Sequence, residues 1–288
     1  NGSCIEDEGE YTLIVTDAVG NKSSQIFIID KTAKAGLIVS NTKFLESGSI
    51  TRYNTYFTWS SKGCTATLNG NPYSKGQLIR EDGDYEIVLI DNAGNISTYT
   101  FTIDKTPPVG TLFSLQGETL TELGELKITS GSLVLQWTES DCTATINGEP
   151  YISGTEINTE GEFIFVLTDR AGNSSTFTGT IDKTPPEIIA LNANSEIMLD
   201  GDITRFNIYF SWNERNCTAT VNGEPYNKET LIKETGEYTI ILTDIVGNSS
   251  SITVSVFKLI PTADIIPIGE GFALPYFNNG FSVEWEEE

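Results

Sequence analysis

Histidine is absent from the 288 residues. That gap excludes Ser-His-Asp and Cys-His nucleophilic catalysis and every histidine-based metal site. Cations are scarce as well: 17 Lys and Arg stand against 40 Asp and Glu, a formal charge of −23. A chain without a positive footprint is not built to hold nucleic-acid phosphates or an anionic membrane surface. No apolar run is long enough to insert into a membrane as a helix, and no Gly-rich phosphate loop opens a helix. Helical periodicity is missing too, whereas Thr, Ile, Val, Tyr and Phe fill the apolar runs. Cysteine is sparse. Cys64, Cys142 and Cys217 occupy one repeat position and Cys4 another, matching Leu78 and Leu231. No repeat can close its own bridge with them, so they read as small buried hydrophobes, reduced and inert.

What is present is one pattern written four times. Glu81–Pro108 reads EDGDYEIVLIDNAGNISTYTFTIDKTPP, and versions of it begin at Glu8, Glu160 and Thr235. An acidic-Gly-acidic turn leads into an aromatic-started alternating run, which ends at Asp and turns through Gly-Asn. A second alternating run follows and usually leaves through Asp-Lys-Thr-Pro-Pro. This is a β-hairpin with a fixed entrance and exit. Asn21, Asn95, Asn173 and Asn248 recur at intervals of 74, 78 and 75 residues. Trp59, Trp137, Trp212 and Trp285 recur at 78, 75 and 73. The chain is therefore an array. Complete repeats span 31–106, 107–184 and 185–257, residues 1–30 form the C-terminal part of another, and 258–288 the N-terminal part of a fifth.

Within 31–106 the alternation predicts strands at GLIVS, at the run ending in Trp59, at CTATL, NPYS and GQLIR, and two in the Tyr85 hairpin. Tyr53, Thr55, Phe57 and Trp59 fall on one face, and Cys64, Ala66 and Leu68 on another apolar face. Asn-Gly turns at Asn69, Asn147 and Asn222 mark further hairpins. About seven short antiparallel strands per repeat read as an all-β chain of small sandwiches in a linear array. Trp59, Trp137 and Trp212 are expected in the cores. Tyr73, Tyr151 and Tyr226 recur equivalently and read as structural.

Asp82-Gly83-Asp84-Tyr85 resembles the Asp-x-Gly-x-Tyr corner of immunoglobulin domains, whose Tyr hydroxyl ties the preceding corner. Tyr11 and Tyr238 match it; Phe163 does not. Apolar residues such as Ile87 stand where antibody domains carry bridging cysteines. The repeated Tyr…Asp-x-x-Gly-Asn…Ile-Asp-Lys-Thr-Pro-Pro pattern resembles the bacterial immunoglobulin-like repeats of large surface proteins and adhesins. The resemblance covers nearly the whole chain. It implies an extracellular or bacterial cell-surface setting, and it is specific for fold rather than ligand.

Asp91–Asn95 reads first as a tight turn in which Asp caps the loop. A second reading comes from strand parity. The exit Asp of one sandwich is carried towards the entry loops of the next, so Asp104 approaches Glu139, Asp141, Asp169 and Asn173. Asp182 likewise approaches Glu214, Asp244 and Asn248. Carboxylates with amide and backbone oxygens are the ligands of a hard cation, and the resemblance implies calcium at such junctions. Asp104, Asp141, Asp169, Asp182 and Asp244 are the metal candidates. The first junction, Asp30 with Ser60, Ser61 and Asp91, is poorer in carboxylate. Asn-x-Ser/Thr sequons at Asn21, Asn95, Asn173, Asn216 and Asn248 are read as by-products of the turn, and no role is assigned to them.

Each acidic position recurs in every repeat, which is the mark of a scaffold and not of a catalytic site. The expectation is a non-enzymatic stalk or adhesin segment of a bacterial cell-surface or secreted protein, a stiff spacer whose main partners are its own neighbouring repeats. Two alternatives are accessory modules of a secreted polysaccharide-acting enzyme and a module binding a host or cell-surface protein or glycan.

Overall fold

The computed structural model describes residues 3–258 and the backbone strands Ala263–Pro267 and Phe281–Trp285. No helix occurs among the described residues, so none is long and apolar enough to cross a membrane. The chain packs into two units, Asn1–Lys127 with Ser132–Thr180, and Ile128–Gly131 with Ile181–Glu288. Most of the partial repeat assigned to 258–288, including the side chain of Trp285, lies outside the described residues.

The first unit opens with a hairpin, Gly9–Thr16 against Lys22–Ile29, in which Tyr11 stands opposite Phe27 with their rings stacked at 5.6 Å. Residues 31–106 then form two sheets. One has the strand order Lys43–Leu45, Gly36–Ser40, Thr55–Trp59, Leu78–Ile79. The other runs Ser49–Thr51, Ile96–Ile103, Gly83–Ile90, Thr65–Leu68, Asn71–Tyr73. Their inward faces meet in one core, with Ile38, Phe57 and Ile79 from the first and Ile87, Leu89 and Phe101 from the second. Strand alternation places every second residue there. Residues 31–106 are thus an immunoglobulin-like β-sandwich, the first of the complete repeats that follow one another in tandem.

The same unit contains most of the next sandwich. Thr119–Glu122, Gly110–Gln116 and Ser132–Trp137 make one sheet, and Ser174–Ile181, Gly161–Thr168, Thr143–Ile146 and Glu149–Tyr151 lie side by side in another. Its core is filled differently. Gly179 stands where the preceding repeat has Phe101, and a Cβ there would meet Leu133 at 2.8 Å and Leu112 at 3.1 Å. Leucines replace the ring, and the glycine gives them room. In the second unit Ile197–Met198, Ile189–Asn192 and Ile208–Ser211 face a sheet of Ile203–Thr204, Ser249–Val256, Gly236–Thr243, Thr218–Val221 and Glu224–Pro225. Phe210, Ile208, Ile240, Leu242 and Val254 are fully buried between them.

Side-chain hydrogen bonds fix the turns. Asn69 and Gly70 adopt φ of 45° and 79°, the left-handed pair a tight hairpin requires. The Asn69 side chain then mimics a peptide: its Nδ2 donates to Asp84 O at 3.0 Å and its Oδ1 accepts from Glu86 N at 2.7 Å. Asn147 and Asn222 do the same. The hydroxyls of Tyr11, Tyr85 and Tyr238 donate to the carbonyls of Asp7, Glu81 and Glu234, at 3.0, 2.8 and 3.0 Å. That closes the expected corner, which Phe163 cannot form. Tyr73 and Tyr151 are buried and Tyr226 half-buried, and each hydroxyl accepts a strand N–H and donates to a carbonyl four residues on.

Three details depart from the sequence reading. The 31–106 sandwich has two further strands, Lys43–Leu45 and Ser49–Thr51, and the latter runs parallel to Ile96–Ile103. Tyr53 lies outside the strand and is 41% exposed, with the Arg52 guanidinium 5.2 Å from its ring centroid. Cys64, Cys142, Cys217 and Trp137 are half-buried rather than buried, whereas Trp59 and Trp212 are core residues. Each of those two tryptophans has a lysine ammonium nearby, Lys75 at 5.8 Å and Lys228 at 5.9 Å from the ring centroid.

Candidate functional site

The feature that recurs with the same chemistry in each complete sandwich is the Asp-x-x-Gly-Asn-x-Ser turn. Asp91 Oδ1 accepts from Ala93 N and Asn95 N, both at 2.9 Å, and its Oδ2 accepts from Asn95 Nδ2 at 3.0 Å. So far this is the tight turn expected from sequence. Asn95 Nδ2 also donates to the carbonyl of Asp30 at 2.9 Å, in the segment that enters the sandwich. Two residues on, Ser97 Oγ donates to Lys34 O at 2.8 Å. The turn therefore grips the incoming linker at two backbone carbonyls.

The grip is repeated. Asn173 Nδ2 donates to Asp104 O and to Asp169 Oδ2, both at 2.8 Å, and Ser175 Oγ to Pro108 O at 2.5 Å. Asn248 Nδ2 donates to Asp182 O at 2.9 Å and to Asp244 Oδ2 at 2.7 Å, and Ser250 Oγ donates to Pro186 O. Asp91, Asp169 and Asp244 are all buried, at 7%, 7% and 5% exposure. In the leading hairpin Asp17 makes the same internal bonds to Asn21 and Val19 but is exposed. Further contacts tie linker and turn to their surroundings. Lys105 Nζ donates to Asn54 Oδ1 at 2.8 Å and to Arg80 O, and Arg52 Nη1 donates to Gly172 O.

The asparagine bonds set the electrostatics. Asn95 holds the Asp91 carboxyl below its ordinary range, and Asn21 does the same for Asp17. Burial, followed by the charges of Asp244 and Asp182, pushes the Glu214 carboxyl up. Burial, followed by Glu139, pushes the Cys142 thiol up to about 11. Burial and then Glu214 raise that of Cys217. These thiols are poor nucleophiles at neutral pH.

The metal candidates divide. Asp182 and Asp244 come together with Glu214, their carboxylate oxygens within 4.8 Å of one another. Asp104, Asp141 and Asp169 do not form such a group among the described residues. Asp104 turns Oδ1 back to Thr106 N at 3.0 Å, Asp169 is committed to Asn173, and Asp141 is exposed in a left-handed turn position with φ of 60°. Even in the first group Asp244 already accepts four N–H donors, three on Oδ1 and one on Oδ2. Asp182 and Glu214 carry the oxygens most open to a cation, and the set is one that suits calcium.

Asn173 and Asn248 lie against Asp104 and Asp182, as strand parity expected, but they act as donors to the backbone carbonyls there. The sequence reading passed over that role, the same role of Asn95, and the serines of the sequons. Their signal was available: Asn-x-Ser recurs at Asn95, Asn173 and Asn248 in the same register after the same Asp.

No family model matches the chain, and no curated protein matches it. Among solved structures it is similar to SGBP-B of the Bacteroides ovatus mixed-linkage glucan utilization locus, in complex with a mixed-linkage heptasaccharide. That likeness has 13% identity and a TM-score of 0.20, over 83% of this chain and 74% of that one. It is also similar to a 1.5-MDa bacterial ice-binding adhesin, at 14% identity and a TM-score of 0.22, over 79% and 98%. The protocadherin GammaB4 extracellular domain matches at 10% identity and a TM-score of 0.22, over 97% and 66%. At this level none of them bears on what the chain binds.

Proposed function

We propose that the chain is a segment of a bacterial cell-surface or secreted protein in which tandem immunoglobulin-like sandwiches act as a stiff extracellular spacer. The observation that carries this reading is the linker grip. The same asparagine and serine hold the incoming backbone at Asp30 and Lys34, at Asp104 and Pro108, and at Asp182 and Pro186. Pro107-Pro108 and Pro185-Pro186 restrict the same linkers further. Function here lies in the joints, and each joint uses side chains of the repeat motif itself. No catalytic role is assigned, since the acidic positions serve the turns.

Forced unfolding of the chain between surface and probe tests the reading. Independent sandwiches of about 75 residues should rupture one at a time, each releasing on the order of 25 nm of chain. Extension in a single step, or at negligible force, would contradict it. Titration with oligosaccharides decides against the spacer if one repeat alone binds them specifically.

A further inference from the structure

In the first unit one side chain reaches from the exit of a sandwich to the turn of the next. Strand Ser49–Thr51 lies beside the exit of 31–106, where Asp104 N donates to Thr51 O at 2.9 Å. The Thr51 hydroxyl accepts from Tyr53 N at 3.2 Å, a local turn that presents the exposed Arg52 next to the linker. Arg52 Nη1 donates to Gly172 O, 120 residues on, and Nη2 donates to the Tyr53 hydroxyl at 3.0 Å. The guanidinium also lies 5.2 Å from the Tyr53 ring centroid. No carboxylate pairs with Arg52 among the described residues, in a chain with 40 Asp and Glu. Geometry, not charge pairing, holds this arginine on a neutral carbonyl.

Gly172 belongs to the turn whose Asn173 grips Asp104 O. Ala171 and Gly172 are half-buried, whereas Ala93 and Gly94, at the same places in the turn of 31–106, are exposed. Within the second unit the arrangement returns with a shorter arm. The Thr129 hydroxyl accepts from Gly131 N and Thr129 O from Asp182 N, both at 2.9 Å. Between them Ser130 Oγ donates to Val246 O at 2.9 Å, in the turn whose Asn248 grips Asp182 O. Arg205 follows Thr204 in the same way, its guanidinium 5.1 Å from the Phe206 centroid, with no hydrogen-bond acceptor among the described residues. The ring therefore sets the pose of the arm before any turn carbonyl is met.

We propose that Arg52 is a positioning residue of the joint, a seat for the next sandwich's turn that fixes the bend between 31–106 and the sandwich after it. The inference rests on the spacer reading in taking stiffness as what the joint serves. Asn173 and Ser175 hold the linker to the sandwich it enters, and a joint attached only along its linker can still rock about it. Arg52 adds an attachment outside the linker, and two separated attachments remove that rocking. A planar guanidinium suits the task, since it holds a carbonyl and the Tyr53 hydroxyl at once and is already ordered on the ring.

Residual dipolar couplings of the whole chain, isotope-labelled and aligned in an uncharged medium, are the test. In the wild type one alignment tensor should fit the amides of 31–106 together with those of 107–127 and 132–180. Arg52→Met keeps the stem but loses the donors, and the two sandwiches should then need separate tensors of unequal magnitude. Arg52→Lys keeps a charged donor and should return to one tensor. The control Arg205→Met loses the same charge and ring contact elsewhere and should leave one tensor. Tyr53→Leu, at a residue outside the strands, removes what orders Arg52 and should loosen the joint in the same sense, which keeps the test decisive if Arg52→Met folds poorly. The amides of Lys105 and Thr106 should stay protected from exchange in Arg52→Met, because the Asn173 grip is intact. A single tensor in both Arg52→Met and Tyr53→Leu overturns the seat and leaves the spacer reading standing. A wild type that needs two tensors of unequal magnitude contradicts both. Arg52→Lys behaving as Arg52→Met, or loss of protection at Lys105 in Arg52→Met, also overturns the seat, the first because the donor is then irrelevant and the second because Arg52 then acts through the grip.

Discussion

The side-chain amide of Asn173 donates to the backbone carbonyl of Asp104 at 2.8 Å, across 69 residues of sequence. The same amide group also donates to the buried carboxylate of Asp169. Removing it strands a buried charge as well as freeing a linker. Asn173→Ala should therefore destabilise its sandwich by about 1–3 kcal/mol, the cost of leaving a buried acceptor unmet. Thermal or denaturant unfolding checks this, and a cost of a few tenths would remove Asn173 from the joint.

Acid should expose the same device in the sandwich 31–106. The folded Asp91 carboxyl lies below its ordinary value of 3.8, chiefly because Asn95 hydrogen-bonds its charged form. The stability this contributes is fully present above pH 3.8 and is lost as pH falls through the lower folded value. Asn95→Ala removes the cause, so the acid-unfolding midpoint of that sandwich should move to higher pH. An unchanged midpoint contradicts the assignment.

Phe163 is a natural deletion of the tyrosine corner made by Tyr85 to Glu81 O at 2.8 Å. Phe163→Tyr should stabilise its sandwich, and Tyr85→Phe destabilise the neighbouring one, each by about 0.5–1.5 kcal/mol. Chemical denaturation of the two variants measures both directions at once.

Trp212 is 7% exposed and belongs to its core, so Trp212→Ala should cost roughly 3–5 kcal/mol. The half-buried Trp137 should cost less on the same substitution. Equal losses would mean that their different burial has no energetic consequence.

A calcium titration tests the one three-carboxylate group found among the described residues, Asp182 with Glu214 and Asp244. Any heat in a calorimetric titration should be lost in Asp182→Ala and in Glu214→Gln, and be unaffected by Asp104→Ala. Loss of heat in Asp104→Ala would relocate the ion to the joint where the carboxylates are not grouped.

Much of the fold was legible because strand alternation and turn chemistry agree. Phe57, Phe210 and Ile87 fall on the inward side by period two alone, and Asn-Gly marks the hairpins at Asn69, Asn147 and Asn222. The strands Lys43–Leu45 and Ser49–Thr51 were not legible, since three residues with Lys, Ser and Thr carry too little alternation to register. Tyr53 misled because its parity matches Thr55 while the chain leaves the sheet between them. The joint was half legible. Asp91–Asn95 reads as a turn from its local chemistry, but the acceptors of Asn95 and Ser97 lie 65 and 63 residues away. Strand parity did bring Asp104 to Asn173 and Asp182 to Asn248, but as oxygen ligands for a cation, because a local pattern does not show which atom of the amide faces the linker.

The most direct measurement of the central claim is hydrogen exchange in the linker that follows Ile103. Lys105 N donates to Asp82 Oδ2 at 3.1 Å and Thr106 N to Asp104 Oδ1 at 3.0 Å, in a segment gripped at Asp104 O and Pro108 O. These two amides should exchange slowly in the wild type. In Asn173→Ala they should exchange roughly 5- to 150-fold faster, the counterpart of about 1–3 kcal/mol. Exchange at the rate of an open chain in the wild type, or no change on substitution, would show that the linker is not held by Asn173.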